Sequence, residues 1–420
     1  WGMALLFLCL IFGTGRTQKI EAAVQNVPES LEEESRLDTV GTDQETERAA
    51  VREKKGQQEK EAGDTETDQA AAAQDELLAE LDFDAIQQEV DSLLSSQQFS
   101  FAGTVRSLLQ DGDPFRIFRA GNAVLSCAKT AFLAQKGLMK ELFLLVLAGA
   151  VLGSFSSLFE GKQVRDASFY MVYLLALALI LKNFQSSGEN LKAVITSLVA
   201  FMRILTPSYY LAAAAAGGAS SAVMFYQMLL LVILAVEKLL LALVLPMIHI
   251  YLLIALVNDL SGEEILSHMT ELLETCVNGL LKSSLGVLVG MQMIRNLIAP
   301  ALDSLRQMAL WRTAGMIPGI GNAVNAVTEL VAGSAVLIRN CFGVTAMLVL
   351  LAAGMVPAVQ LLVSGLSFRL LAAAAQPVSD KRIAGCLAAA GKGYAMLLRL
   401  LLTVEVLFLL TIAILAGTFS

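Results

Sequence analysis

Two charged side chains, Arg369 and Glu405, lie inside long stretches that are otherwise apolar. A charge facing lipid at the centre of a bilayer costs about 2.5–3.5 kcal/mol or more, so each must face protein or water. Their opposite signs allow two roles: partners in a pair across helices, or lining of a polar pathway. A second group of residues acts on the backbone. Pro207 with Gly217 and Gly218, Pro246, Pro318 with Gly319 and Gly321, and Pro357 mark candidate helix breaks. Broken or re-entrant helices at membrane depth are tolerated only where they are buried in protein or line a cavity.

Residues for bond-breaking chemistry are sparse. The two histidines, His249 and His268, form no HExxH, and the five cysteines (Cys9, Cys127, Cys276, Cys341 and Cys386) lie far apart with no CxxC. A metal site or an intramembrane protease is therefore not expected, and the cysteines read as small packing residues. Gly385–Gly393, GCLAAAGKG, has one residue too many for a phosphate-binding loop and glycine where Ser or Thr would hold magnesium. Gly319-Ile320-Gly321 lacks a third glycine and a preceding strand. No catalytic residue, cofactor or metal ligand is assigned.

The elements that must position these residues are helices in a membrane. The chain is 56% hydrophobic and only 16% charged, with a mean hydropathy of +0.64. Spans are expected at Leu142–Phe159 and Ala167–Leu181, joined by EGKQVRD, and near 278–294 and 399–417. Two runs are too long for one crossing. Ser221–Val257 would be about 55 Å as a helix, against a hydrocarbon core of about 30 Å. A hairpin turning at Glu237-Lys238 would place those charges at an interface, and the same arithmetic divides Cys341–Ala375 near Gly354 and Pro357. The total is about eight spans over 138–420. Gly149-x-x-x-Gly153 and Gly286-x-x-x-Gly290 offer close helix contacts; self-association into a homo-oligomer is left open.

Charge is split along the chain. Arg16–Asp113 carries 24 acidic and 9 basic residues, and the remainder 14 acidic and 21 basic. An acidic arm joined to a basic apolar body excludes an ordinary soluble enzyme and a nucleic-acid partner. Met3–Phe12 is an apolar run too short to span, expected to be the core of a signal peptide over 1–23. Residues 24–74 are polar and almost free of aromatics, so a disordered tether is expected. Over 75–137, Leu77, Leu78, Leu81, Ile86, Val90, Leu93 and Leu94 recur at helical spacing behind Asp75 as N-cap, and a shorter helix follows at 103–110. The face of 115–135 suits a helix on the membrane surface or one packed on the body.

The body repeats itself, about 203–300 against 315–419. Each copy opens with a proline-bearing, small-residue stretch, continues into an over-long apolar element containing Pro246 or Pro357, breaks at a polar segment, and closes with an amphipathic helix and a span. With a hairpin in each, a copy crosses three times, which makes the pair an inverted repeat of the kind common in transporters. The acidic amphipathic helix (Glu263, Glu264, Glu271, Glu274) is then expected outside, and the basic one (Lys381, Arg382, Lys392) in the cytoplasm. The fold class is an all-α polytopic membrane protein.

Three segments, SFAGTVRSLLQDGDPF, FMRILTPSYYLAAAAAGGASSAVMF and MIPGIGNAVNAVTELVAGSAVLIRNCFG, resemble the stage III sporulation protein AE family. The resemblance covers roughly 75–420; residues 24–74 have no counterpart. It implies a multi-pass protein of the mother-cell membrane around the forespore of endospore-forming bacteria. It further implies a non-enzymatic role in a channel complex, or feeding tube, joining the two cells. The implied partners are the bilayer, other stage III sporulation A proteins (a cytoplasmic ATPase and a ring-former among them), and stage II sporulation protein Q from the forespore side. The family brings no catalytic residues to carry over. A stand-alone secondary transporter and a scaffold that docks other proteins are the competing readings.

Overall fold

The computed structural model describes residues 82–94, 99–111, 121–156, 162–215, 220–261, 266–314, 321–377 and 379–417. The expected signal peptide, the acidic segment 24–74, Gly217, Gly218, Pro318 and Gly319 lie outside them. All the described residues belong to one unit, Thr67–Ser420, and every regular element among them is helical.

The helices are α1 Phe83–Leu93, α2 Phe101–Asp111, α3 Gly121–Ser156, α4 Lys162–Ala215, α5 Ser220–Leu239, α6 Leu245–Ser261, α7 Ser267–Ala314, α8 Gly321–Ala375 and α9 Lys381–Gly417. A π-helical turn, Leu240–Val244, joins α5 to α6. Helix α1 has Asp82 as its N-cap, accepting from the Ala85 N–H at 3.1 Å; the expected cap Asp75 lies outside the described residues. Leu77, Leu78 and Leu81 lie outside the described residues. Helix α2 matches the expected short helix. Phe101 of α2 packs edge-on against Phe342 of α8 at 5.0 Å, which ties this N-terminal pair to the body. Helix α3 runs unbroken from the expected surface helix into the first expected span, whose last residues, 157–159, lie outside the described residues.

Among the described residues, five helical stretches are long and apolar enough to cross a membrane: Phe169–Tyr209, Leu230–Ser261, Ser267–Met291, Gly333–Ala375 and Lys381–Ala413. The two expected hairpins do not form, which removes two of the roughly eight expected crossings, and the expected span Leu142–Phe159 reaches beyond the described residues. Glu237-Lys238 lies inside α5, and the chain continues through the π turn into α6. Gly354 and Pro357 lie inside α8. Pro207, Pro246 and Pro357 therefore interrupt hydrogen bonding without ending their helices. At Pro246 the reason is visible: a proline lacks an N–H and crowds the carbonyl four residues earlier. The π turn immediately before it widens the ladder, with the Leu245 N–H donating to the Leu240 carbonyl. Gly321 opens α8 rather than breaking a helix.

Outward-facing Leu231, Leu243, Ile250, Leu253, Val287, Met293, Ile294, Leu366 and Leu370 are exposed. In water such continuous apolar surface would drive association, whereas lipid accepts it. Of the glycine motifs, Gly149 makes a close approach, since a Cβ there would lie 3.0 Å from Val172 Cγ1. Gly286 and Gly290 face open space instead.

Cross-helix contacts fix the relative directions. Helices α4 and α9 run the same way: Arg382 lies over the Phe169 ring at 5.4 Å, and further along both helices Asn183 meets Tyr394. Helix α8 runs against α9, with Gly365 beside Tyr394 and Gly354 beside Glu405. Helix α6 also opposes α9: Asp259, near its C-terminus, lies against Gly385, and the Leu256 carbonyl accepts from Tyr173 of α4 at 2.6 Å. Helix α7 runs with α9, because Glu274 pairs with Lys392 at 2.5 Å and Asn278 accepts from Arg399 at 3.0 Å. The C-termini of α6 and α8 and the N-termini of α7 and α9 thus share one end of the bundle.

This overturns the inverted repeat. Without hairpins, each copy contributes one over-long helix and one return helix, and an even number of passes leaves both copies facing the same way. The amphipathic segments placed on opposite sides by their charge touch each other through Glu274 and Lys392.

Candidate functional site

The polar residues of the membrane body collect at one level, set by the run KNFQSSGENLK within α4. Its polarity interrupts an otherwise apolar helix every few residues from Lys182 to Lys192. Residues 183, 184, 187 and 188 recur on one helical face, and that face meets α6 and α9.

Tyr394 of α9 is at the centre. Its hydroxyl accepts from the Asn183 amide at 2.6 Å and lies 3.2 Å from the Ser187 hydroxyl, which itself donates to the Asn183 carbonyl at 2.9 Å. The Tyr394 ring stacks on Phe368 of α8 at 5.3 Å and meets Phe184 edge-on at 5.2 Å. Phe184 in turn meets His249 of α6 edge-on at 5.3 Å. Three glycines admit this cluster. A Cβ on Gly188 would lie 2.6 Å from the His249 ring, one on Gly393 would lie 3.0 Å from Phe184, and one on Gly365 would lie 3.2 Å from Tyr394 Cβ.

His249 Nδ1 lies 2.9 Å from the Leu245 carbonyl. A carbonyl can only accept, so Nδ1 carries a proton and donates it to that carbonyl. Beside the ring opens a cavity of about 380 Å³ lined by Phe184, Gln185, Glu189, Lys192 and His249 with Leu181, Leu245 and Leu253. A wall that is mostly apolar, with one acid, one base, an amide and an imidazole, suits binding of a small amphipathic group. No group of three or more His, Cys, Asp or Glu side chains placed to hold a metal occurs among the described residues.

Lys392, two residues before Tyr394, lies 6.0 Å from the centroid of the Tyr251 ring while pairing with Glu274. Both ends of that pair are partly exposed, so its net worth is about 0–1 kcal/mol and its use is in register.

The two charges singled out by sequence part company here. Arg369 is exposed and lies along Gly391, at the polar level. Glu405 is 7% exposed and sits against Gly354. Gly391 and Glu405 are 14 residues apart on one helix, or about 21 Å. The two do not pair. Arg339, inside α8, is a further charge within a membrane-spanning helix and is 1% exposed; sequence reasoning passed over it although it lies just before the apolar run from Cys341. Asn183, Ser187 and Tyr394 were missed as well, and the signal available was the polar run in α4.

Removing the Tyr394 hydroxyl leaves the Asn183 amide without its acceptor. Tyr394→Phe should cost about 1–3 kcal/mol, read as a lower unfolding temperature of the detergent-purified protein. Tyr394→Leu, which also loses the stacked rings, should cost about 0.5–1.5 kcal/mol more than its lost area alone accounts for.

The family model described as stage III sporulation protein AE matches residues 99–418. A protein named stage III sporulation protein AE, from Bacillus subtilis (strain 168), is 22% identical over 291 residues, covering 69% of this chain and 73% of its own length. No solved structure matches the chain.

Proposed function

Because this chain belongs to the stage III sporulation protein AE family, we propose that it is a non-enzymatic integral-membrane component of a channel complex joining mother cell and forespore. Family membership carries the sporulation role, and five apolar helices of membrane-spanning length support a multi-pass protein. The observation that carries the proposal is the extent of the family match, which takes in nearly all of the helical body, from the start of α2 to the end of α9. On this reading the protein resides in the mother-cell membrane around the forespore. It works there with other stage III sporulation A proteins, including a cytoplasmic ATPase and a ring-former, and with stage II sporulation protein Q.

A second reading, a stand-alone secondary transporter, is favoured by one feature: the cavity beside His249, lined by Gln185, Glu189 and Lys192. Affinity purification from sporulating cells separates the two. Co-isolation of the companion proteins is the expected result. Purification of the chain alone, from membranes in which those companions are present and intact, favours the transporter.

A further inference from the structure

Glu405 sits inside α9 about 20 Å beyond Lys392, past the level at which the other polar side chains gather. It is 7% exposed. Its carboxylate rests on Gly354 of α8, in the space that any Cβ at that position would fill. Among the described residues it has no hydrogen-bond or ion-pair partner, and no charged or titratable group acts on it from any neighbouring helix. On α8, Arg369 and the buried Arg339 each lie 15 residues from Gly354, on opposite sides of it and about 22 Å away along the helix. On α9, Arg399 is turned to Asn278 of α7. On α4 and α5, Arg203 and Glu237 act on each other. On α7, Glu274 is taken by Lys392. On α6, Asp259 lies at the far end of the seam, against Gly385.

A buried, unpaired carboxylate is among the least stable arrangements a protein can hold, and the effective penalty is several kcal/mol per ion. Sequence alone would resolve this by pairing Glu405 with Arg369, and the geometry does not. Two remedies remain: a bound metal cation or a bound proton. A hard cation such as sodium needs several oxygen ligands. The residues around Glu405 on α9 (Leu401, Val404, Phe408) and Gly354 with Ala353 on α8 supply no side-chain oxygen. A proton needs none.

We propose that Glu405 is a proton-binding site inside the membrane domain, with Gly354 as the residue that makes room for it in the closed α8–α9 seam. With the seam closed, the carboxyl is neutral. When the seam opens to water, the O–H bond breaks, the proton passes to solvent and the carboxylate is hydrated. Closure requires the proton back. Proton binding is thereby linked to whether α8 and α9 are packed at this level. This inference is independent of the channel-component reading and survives its failure.

The test uses the full chain purified in detergent and in phosphatidylcholine vesicles. Dicyclohexylcarbodiimide reacts with protonated carboxyls in apolar surroundings, and modification is mapped by mass spectrometry. At neutral pH, Glu405 should be modified at least about tenfold more than Glu271 or Glu274, and modification should fall about tenfold per pH unit once the carboxyl ionises. Sodium at constant pH should not protect it. The infrared difference between wild type and Glu405→Gln should show a protonated-carboxyl C=O stretch that the glutamine variant lacks. Because glutamine mimics the neutral acid in size, that variant should keep its fold, checked by its elution and unfolding temperature. Gly354→Ala, which intrudes on the carboxyl, should lower the modification of Glu405 without touching that of the other acids. Protection by sodium overturns the proposal in favour of a metal-cation site. Absence of the protonated-carboxyl band at neutral pH overturns it outright.

Discussion

Gly391→Leu should reduce the protein in the membrane about tenfold or more, while Gly279→Leu leaves it near normal. The difference lies in what a side chain would meet. At Gly391 the first added carbon would lie 2.8 Å from Arg369 Cγ, 3.2 Å from the Gly365 carbonyl oxygen and 3.4 Å from the Arg369 backbone nitrogen. The arginine stem can swing away; the backbone atoms cannot, unless α8 and α9 separate. Separation at that point also pulls Phe368 off Tyr394, a stacked pair at 5.3 Å, and draws the tyrosine hydroxyl from Asn183. Overpacking a tight contact costs about 1–3 kcal/mol and sometimes more, the ring and hydrogen-bond losses add to it, and about 1–2 kcal/mol already changes cellular abundance several-fold. At Gly279 nothing lies within 4 Å, and replacing a helical glycine by a better helix former gains up to about 1 kcal/mol. Quantitative immunoblotting of membranes from cells expressing each variant provides the measurement. Equal levels of the two variants would mean that α8 and α9 do not cross at Gly365 and Gly391.

The contrast between these glycines shows what was legible in the sequence. The helical class, the apolar body, a short helix at 103–110 (observed as Phe101–Asp111) and the polar breaks at Asn258–Ser261 and Gln376–Ser379 could all be read from periodicity and composition. The path of the over-long runs could not. A bilayer sets how much of a helix can be immersed, but it does not oblige a long apolar run to turn back, and Glu237-Lys238 carries no glycine or proline to make the turn. Proline was read as a stop, yet Pro207, Pro246 and Pro357 each lose one hydrogen bond and stay within their helices, one of them by way of a π turn. Pairwise geometry was the other blind spot. Gly286 and Gly290 have the spacing of a close contact and face open space, whereas Gly365 and Gly391, on different helices and in no motif, meet. Arg369 and Glu405 likewise looked like partners because their signs are opposite. Only the register of α8 against α9 shows that each belongs to a different level.

That register carries the second large effect. Single cysteines introduced at positions 271 and 392 should be labelled by a membrane-impermeant maleimide from the same side, and a flexible bis-maleimide should join cysteines at 274 and 392 within one chain. Charge alone argues the reverse: the segment bearing Glu271 and Glu274 is acidic, the one bearing Lys381, Arg382 and Lys392 is basic, and a positive-inside rule separates them. The rule counts loops that must choose a side during insertion, and it loses force when opposite charges on neighbouring helices neutralise each other. Lys392 and Glu274 do this at 2.5 Å, eleven residues into α9 and seven into α7, so the two N-terminal segments lie side by side rather than across the membrane from each other. Two contacts independent of that ion pair agree: Asp259 against Gly385, and Arg399 donating to Asn278. Opposite-side labelling, with no cross-link between 274 and 392, would restore three crossings per copy and return the hairpins at Glu237-Lys238 and Gly354. Same-side labelling makes the repeat a parallel one, in which α6 and α8 descend together and α7 and α9 return together. In that arrangement the polar face of α4 is held between α6 and α9 at Asn183 and Ser187, where the cavity beside His249 opens.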